Sequence, residues 1–170
     1  MGPQTRFEQL YRAHAGRVRA YALRRTTGAA ADDVVADVFL VAWRRLDDVP
    51  EDVLPWLLGV ARRVLANRRR GDSRAAALHA RLAGSHRLSD DEPGGSDNER
   101  ALQALASLGE NDRELLMLIA WDGLEAADVA QVLGVRRGTV AVRLHRARQR
   151  FADALAAQDA QVSTQLEVRR

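Results

Sequence analysis

The side chains of this chain that can do chemistry are its cations, and they are unevenly placed. All 26 basic residues are arginine; residues 59–70 hold five of them and residues 136–150 hold six, with no acid in either strip. Guanidinium rows offset phosphate charge, and a single guanidinium can take a guanine edge with two parallel hydrogen bonds. Reaction chemistry is missing by contrast. His14, His79, His86 and His145 are dispersed without metal-ligand spacing, and there is no cysteine. No serine sits in a nucleophile elbow and no glycine-rich phosphate loop occurs. The expectation is a non-enzyme with no metal and no cofactor, which works by binding. An arginine-only composition is also what a GC-rich coding sequence yields, so position carries the argument more than number. Acids gather elsewhere, at Asp32, Asp33 and Asp37 and from Asp90 to Glu99.

The elements that must hold these strips are helical. At 170 residues, 46% hydrophobic and 29% charged, the chain suits one generous domain or two small ones and not wholesale disorder. Its longest apolar stretches, Val53–Ala61 and Leu115–Trp121, fall short of the ~20 residues a membrane helix needs, and the amino terminus has no apolar signal core. A cytoplasmic protein without membrane insertion is expected. Phe7, Leu10, Tyr11, His14, Val18, Tyr21 and Ala22 recur at three- and four-residue steps, predicting a helix over about 5–25 that breaks at Thr26, Thr27 and Gly28. Asp32 and Asp33 suit the first turn of a second helix running to about Leu46, with Val35, Val38, Phe39, Ala42, Trp43 and Leu46 as its apolar stripe. Pro55 suits the first turn of a third helix carrying Trp56 to about Arg70.

Periodicity weakens from Gly71 to Asn98, where Gly84, Ser85 and Ser89 to Ser96 have linker chemistry. Beyond it, Leu102, Leu105 and Leu108 share one short helix, and Asn111 or Asp112 caps a second with Leu115, Leu116 and Ile119. No β-alternating run appears, so the fold class is all-α: two small helical domains joined by a flexible acidic linker. The expected boundaries are 1–72, linker 73–98, 99–156 and a tail at 157–170.

Residues 123–148 read as helix, glycine turn and helix. Val129, Ala130 and Leu133 form the inner face of the first, Gly134 suits a left-handed end, and Val140, Leu144, Ala147 and Phe151 form the buried stripe of the second. The 3.6-residue period then sends Thr139, Val142, His145, Arg146 and Gln149 to the opposite face, where a recognition helix meets the major groove. Arg136, Arg137, Arg143 and Arg148 flank it for phosphates. Arg146 suits guanine and Val142 a thymine methyl. In the third helix Trp56, Val60, Arg63, Asn67 and Arg70 fall in one row. An indole beside an amide and guanidiniums can stack an unpaired base, hold its edge and neutralise its backbone. The plainer readings, a basic helical hairpin and a core tryptophan, are kept beside these.

Taken together, these motifs resemble the extracytoplasmic-function (ECF) group of sigma-70 family RNA polymerase sigma factors. Phe7–Tyr11, Asp37–Arg44 and Pro55–Arg62 resemble the family's region two. Asp128–Ala130, Leu133-Gly134, Gly138–Val140, Arg143-Leu144 and Arg146–Arg148 resemble its region four. The resemblance implies that Asp37, Val41 and Arg44 contact the β′ coiled coil of core polymerase beside Phe39 and Trp43, of which the last two are read as core. It implies that Trp56, Arg63, Asn67 and Arg70, with the loop from Asp47 to Val53, take an unpaired base of the minus-ten element. It implies that Arg136, Arg137, Thr139, Val142, Arg143, His145 and Arg146 read the minus-thirty-five duplex. Implied partners are core polymerase (β′ coiled coil and β flap), promoter DNA and an anti-sigma factor. The sequence departs from the family at Arg63 and Asn67, where Asn and Asp are common. It departs again at Glu125, in place of a Ser or Thr cap, and at Ala141 and Val142, in place of a basic and Ser pair. A stand-alone helix-turn-helix regulator and a protein-binding helical adaptor remain the alternatives.

Overall fold

The computed structural model describes residues 2–79 and 96–168. Among these, α1 spans Pro3–Leu23, α2 Gly28–Arg44, α3 Val53–His79, α4 Ser96–Ser107, α5 Glu110–Ala120, α6 Ala126–Leu133 and α7 Arg137–Val168, with a 3-10 turn at Leu46–Asp48. The all-α expectation holds for the described residues. Residues 80–95, most of the expected linker, lie outside them. Helix occupies 73–79 and 96–98 at its two ends, and α7 continues through the expected tail to Val168.

The first unit is a three-helix packing in which α1 meets both α2 and α3, and α2 meets α3. Its core is Val18, Tyr21 and Ala22 on α1, Val34, Val38 and Ala42 on α2, and Leu57, Leu58 and Ala61 on α3, all sealed; Val34 and Leu58 join the stripes that the periodicity selects. Tyr21 is covered in part by the Arg25 guanidinium, 3.6 Å above its ring, which also donates to the Tyr21 carbonyl. His14, half-buried on the same stripe, is held below the usual imidazole range by burial and by Arg17, with Asp52 opposing.

One expectation about α2 needs correction. The helix starts at Gly28 with Thr27 as its N-cap, and no acid lies in its first turn. Asp32 and Asp33 therefore sit in its second turn. Their role is tertiary: Asp32 Oδ1 accepts from Arg19 Nε on α1 at 2.6 Å, and Asp33 Oδ2 accepts from Arg68 on α3 at 3.3 Å. Acids near a predicted boundary looked like a helix start because both roles favour the same residues. The stripe of α2 is also split. Phe39 is buried, but Trp43 is 45% exposed and is not a core residue.

In the second unit α7 packs against α4 and α5. On α4 Ala104 is sealed, whereas Leu102 is 42% exposed, and Leu108 is buried just past the helix end. The cap of α5 is Gly109, which moves Asn111 and Asp112 into its first turn. Asp112 there accepts from Arg150 of α7, tying the long helix to α5. Arg113 turns back to α4, donating to the carbonyls of Leu105, Ala106 and Leu108 at 3.1, 2.5 and 2.8 Å. Leu105 and Ala106 belong to the last turn of α4, where carbonyls lack the regular intrahelical partner, and Leu108 lies just past it; the Leu105 carbonyl also accepts from the Leu108 N–H at 3.2 Å.

Candidate functional site

The turn between α6 and α7 positions the reading helix. Gly134 has φ 67°, a left-handed conformation that costs an L-residue about 1–2 kcal/mol and glycine almost nothing. Upstream, Gly123 at φ 65° ends α5, whose last carbonyls at Met117 and Leu118 accept from Trp121, Asp122 and Leu124. The entry to α6 keeps half of a capping box. Glu125 contributes no hydroxyl, but its own N–H donates to Asp128 Oδ2 at 3.2 Å, three residues on. Arg136 caps α7 in turn, its carbonyl accepting from Thr139 and Val140.

Along α7 the two faces separate as the period requires. Val140 and Ala147 are fully buried, and Leu144 and Phe151 are half-buried. On the outer face Val142 is 53% exposed, and Arg136, Arg137, Arg143, His145, Arg146, Arg148 and Gln149 are exposed; Thr139 is half-buried at the margin. Gln149 bonds along the helix to Asp153 at 3.1 Å. Among the described residues, none of the guanidiniums of Arg136, Arg137, Arg143, Arg146 and Arg148 makes a hydrogen bond or ion pair. Five guanidiniums left with water, on the two flanks of the outer face of α7, form a ready counter-charge for a polyanion. A valine among them offers an apolar contact of the kind a thymine methyl accepts.

On α3 the structure puts Arg63, Asn67 and Arg70 on the surface, Trp56 half-buried at the head of their row and Val60 buried within it. Asn67 Oδ1 accepts from the Arg70 guanidinium, so the amide and the cation act as a linked pair. The loop before α3 is tied to α1. Arg6 donates to the Val49 carbonyl at 3.5 Å and lies 4.0 Å from Asp47, while Arg45 pairs with Asp48 at 3.1 Å. Pro55 is buried as the third residue of α3, where its missing N–H costs no helical bond.

On α2, Arg44 is exposed and Val41 half-buried, and Leu40 and Trp43 are 47% and 45% exposed. Asp37, in one row with Val41 and Arg44, accepts from Arg68 at 2.6 Å. Trp43 packs edge-on against Phe7 at 5.1 Å, and Tyr11 meets Phe39 at 4.7 Å, so four rings from α1 and α2 form one half-open aromatic cluster. The periodicity found these rings but not their exposure, since an apolar stripe does not say how far a neighbouring helix covers it. The spacing gives no role to Arg68 or Arg113 and marks Asp112 only as a helix cap, because a lone charge has no sequence signal for its partner in space.

Known proteins resemble both units of the chain. Residues 10–75 match the model of sigma-70 region 2, and residues 98–151 match that of sigma-70 region 4. The ECF RNA polymerase sigma factor SigL of Mycobacterium tuberculosis is 33% identical over 148 residues, covering 80% of this chain and 81% of SigL. The RNA polymerase sigma factor NccH of Alcaligenes xylosoxydans is 31% identical over 162 residues, covering 88% and 87%. Among solved structures, the sigma factor RpoE in complex with the anti-sigma factor NepR from Bartonella quintana aligns with a TM-score of 0.68 at 25% identity, over 88% of this chain and 96% of that one. CnrH in complex with the cytosolic domain of CnrY aligns at 0.58 and 28%, over 89% and 88%. Regions 2 and 4 in this order define a sigma factor, a subunit that directs RNA polymerase. The chain belongs to the extracytoplasmic-function family of RNA polymerase sigma factors.

Proposed function

We propose that the two surfaces divide promoter recognition between them. The outer face of α7 reads the minus-thirty-five duplex, with Arg146 on a guanine edge, Val142 on a thymine methyl, Thr139 and His145 beside them, and Arg136, Arg137 and Arg143 on phosphates. The α3 row of Trp56, Arg63, Asn67 and Arg70, with the Asp47–Val53 loop, takes an unpaired base of the minus-ten element and lowers the cost of opening. Arg44, Val41 and Asp37 on α2 meet the β′ coiled coil, and the second unit meets the β flap. The chain makes and breaks no bond of its own; polymerase does that in the cytoplasm.

The observation that carries this reading is the set of five α7 arginines with no partner among the described residues, around an exposed valine. A stand-alone duplex regulator would use that face too, but would have no need of a region 2 with a cation and amide row. RpoE and CnrH were each solved with a protein bound, an anti-sigma factor for RpoE and the cytosolic domain of CnrY for CnrH. An anti-sigma partner for this chain is the corresponding proposal. It would compete with polymerase for the half-open aromatic and aliphatic surface of α2.

The test is run-off transcription with core polymerase over a randomised promoter library. Arg146→Ala is expected to change the preferred upstream sequence, with about 1–3 kcal/mol lost at one base pair. Asn67→Ala is expected to leave that preference intact and reduce the fraction of promoters opened. Equal, sequence-independent losses from both would reject the division.

A further inference from the structure

The run Arg68-Arg69-Arg70 reads as three like cations at the end of the DNA-facing helix, but the structure separates the first from the others. Leu57, Ala61 and Leu65 form the buried stripe of α3, at steps of four residues, and Arg68 stands at the next position on the same face. In the turn from Ala66 to Gly71 no apolar side chain larger than alanine is present to anchor the helix. There the Arg68 guanidinium forks onto α2, NH1 donating to Asp33 Oδ2 at 3.3 Å and NH2 to Asp37 Oδ2 at 2.6 Å. Asp33 and Asp37 are four residues apart and so share a face of α2. Asp32, beside them, is tied to Arg19 of α1 at 2.6 Å. Charge thus continues the work of packing where the apolar stripe ends.

The side chains of Arg68 and Asp37 are 35% and 47% exposed. Pairs this open add little to folding stability. What a planar guanidinium held by two carboxylates does supply is direction. Asn67 precedes Arg68 by one residue and Arg70 follows by two, so the azimuth of Arg68 sets that of the linked Asn67 and Arg70 pair.

We infer that Arg68 is a positioning residue for promoter opening, holding the Asn67–Arg70 turn in the orientation that meets the unpaired strand, and is not itself a DNA contact. This rests on the assignment of the α3 row to the opened minus-ten element.

The test uses full-length chain in holoenzyme on promoters recovered from the library, at a temperature where circular dichroism shows every variant folded. Opening per bound complex is followed by permanganate reactivity of unpaired thymines, across a salt series. Arg68→Ala is expected to reduce opening roughly tenfold, within the range for contacting pairs, with the salt slope unchanged. Asp33→Ala, which leaves the proposed polymerase contact at Asp37 in place, is expected to give part of that loss, and combining it with Arg68→Ala no further loss. Arg68→Lys should recover part of the opening, keeping the charge but not the fork. Additive losses, a slope reduced by roughly 0.7 as for a direct single-strand phosphate contact, or normal opening by Arg68→Ala would each overturn the inference. Normal opening by both Arg63→Ala and Asn67→Ala would instead overturn the assignment of α3 on which it rests.

Discussion

At Arg113 three carbonyls of another helix end meet one guanidinium, and this shows how differently the arginines of one chain are employed. Arg113 and Arg68 turn inward to neighbouring helices, while Arg143 and Arg146 stay in water. Composition cannot tell these apart, because the residue type is the same and only the third dimension supplies a partner. Arg113→Met keeps the aliphatic stem and removes three hydrogen bonds, although the Leu105 carbonyl keeps the Leu108 N–H; it is expected to cost about 1–3 kcal/mol of unfolding free energy, measured by urea titration. Duplex affinity well below the transition should be preserved, since Arg113 faces α4 and not the outer side of α7. The acids near the start of α2 teach the same lesson. Asp32 and Asp33 were legible as acids that matter, but their pairing with Arg19 and Arg68 was not, because helix dipole and ion pair select one chemistry.

Helices were the most legible elements, since each unit buries a stripe whose period the sequence displays. The stripe of α7 from Val140 to Phe151 faces inward as its spacing requires, Val140 and Ala147 buried and Leu144 and Phe151 half-buried, and Gly134 takes the left-handed conformation its position demanded. Ends were less legible. α2 begins four residues before its acids and α5 begins at Glu110 behind a glycine cap, because termini depend on local backbone choices that several residues satisfy equally well. Nothing lies within 4 Å of where a Cβ at Gly134 would stand, so a substitution there meets no clash and tests φ alone. Gly134→Ala is expected to lower stability by about 1–2 kcal/mol, seen as a lower melting temperature. Gly134→Asn should lose less, since asparagine tolerates this region better.

Over the whole molecule, net charge is only +3, a value that hides the cations because acids elsewhere cancel them. Association with duplex DNA depends on the local surface, so affinity should fall steeply with salt despite the small net charge. If all five unpartnered α7 arginines neutralise phosphates, the slope of log K against log salt for the full chain is expected near roughly −4.5, and each Arg→Ala change among them should reduce it by about 0.9. Filter binding across a salt series measures both. A protein-binding adaptor would show no such slope. The division into two helical units was legible from the collapse of periodicity after Gly71, though α3 and α7 both run further than their apolar stripes.

The three tryptophans stand at three separate places: Trp43 at 45% exposure in the ring cluster of α2, Trp56 half-buried at the head of the α3 row, and Trp121 at 46% exposure where α5 ends. Each indole is wet enough for its emission to shift when a partner displaces water. Chains retaining a single tryptophan would therefore report, by colour alone and without any attached dye, which of the three places a given ligand covers.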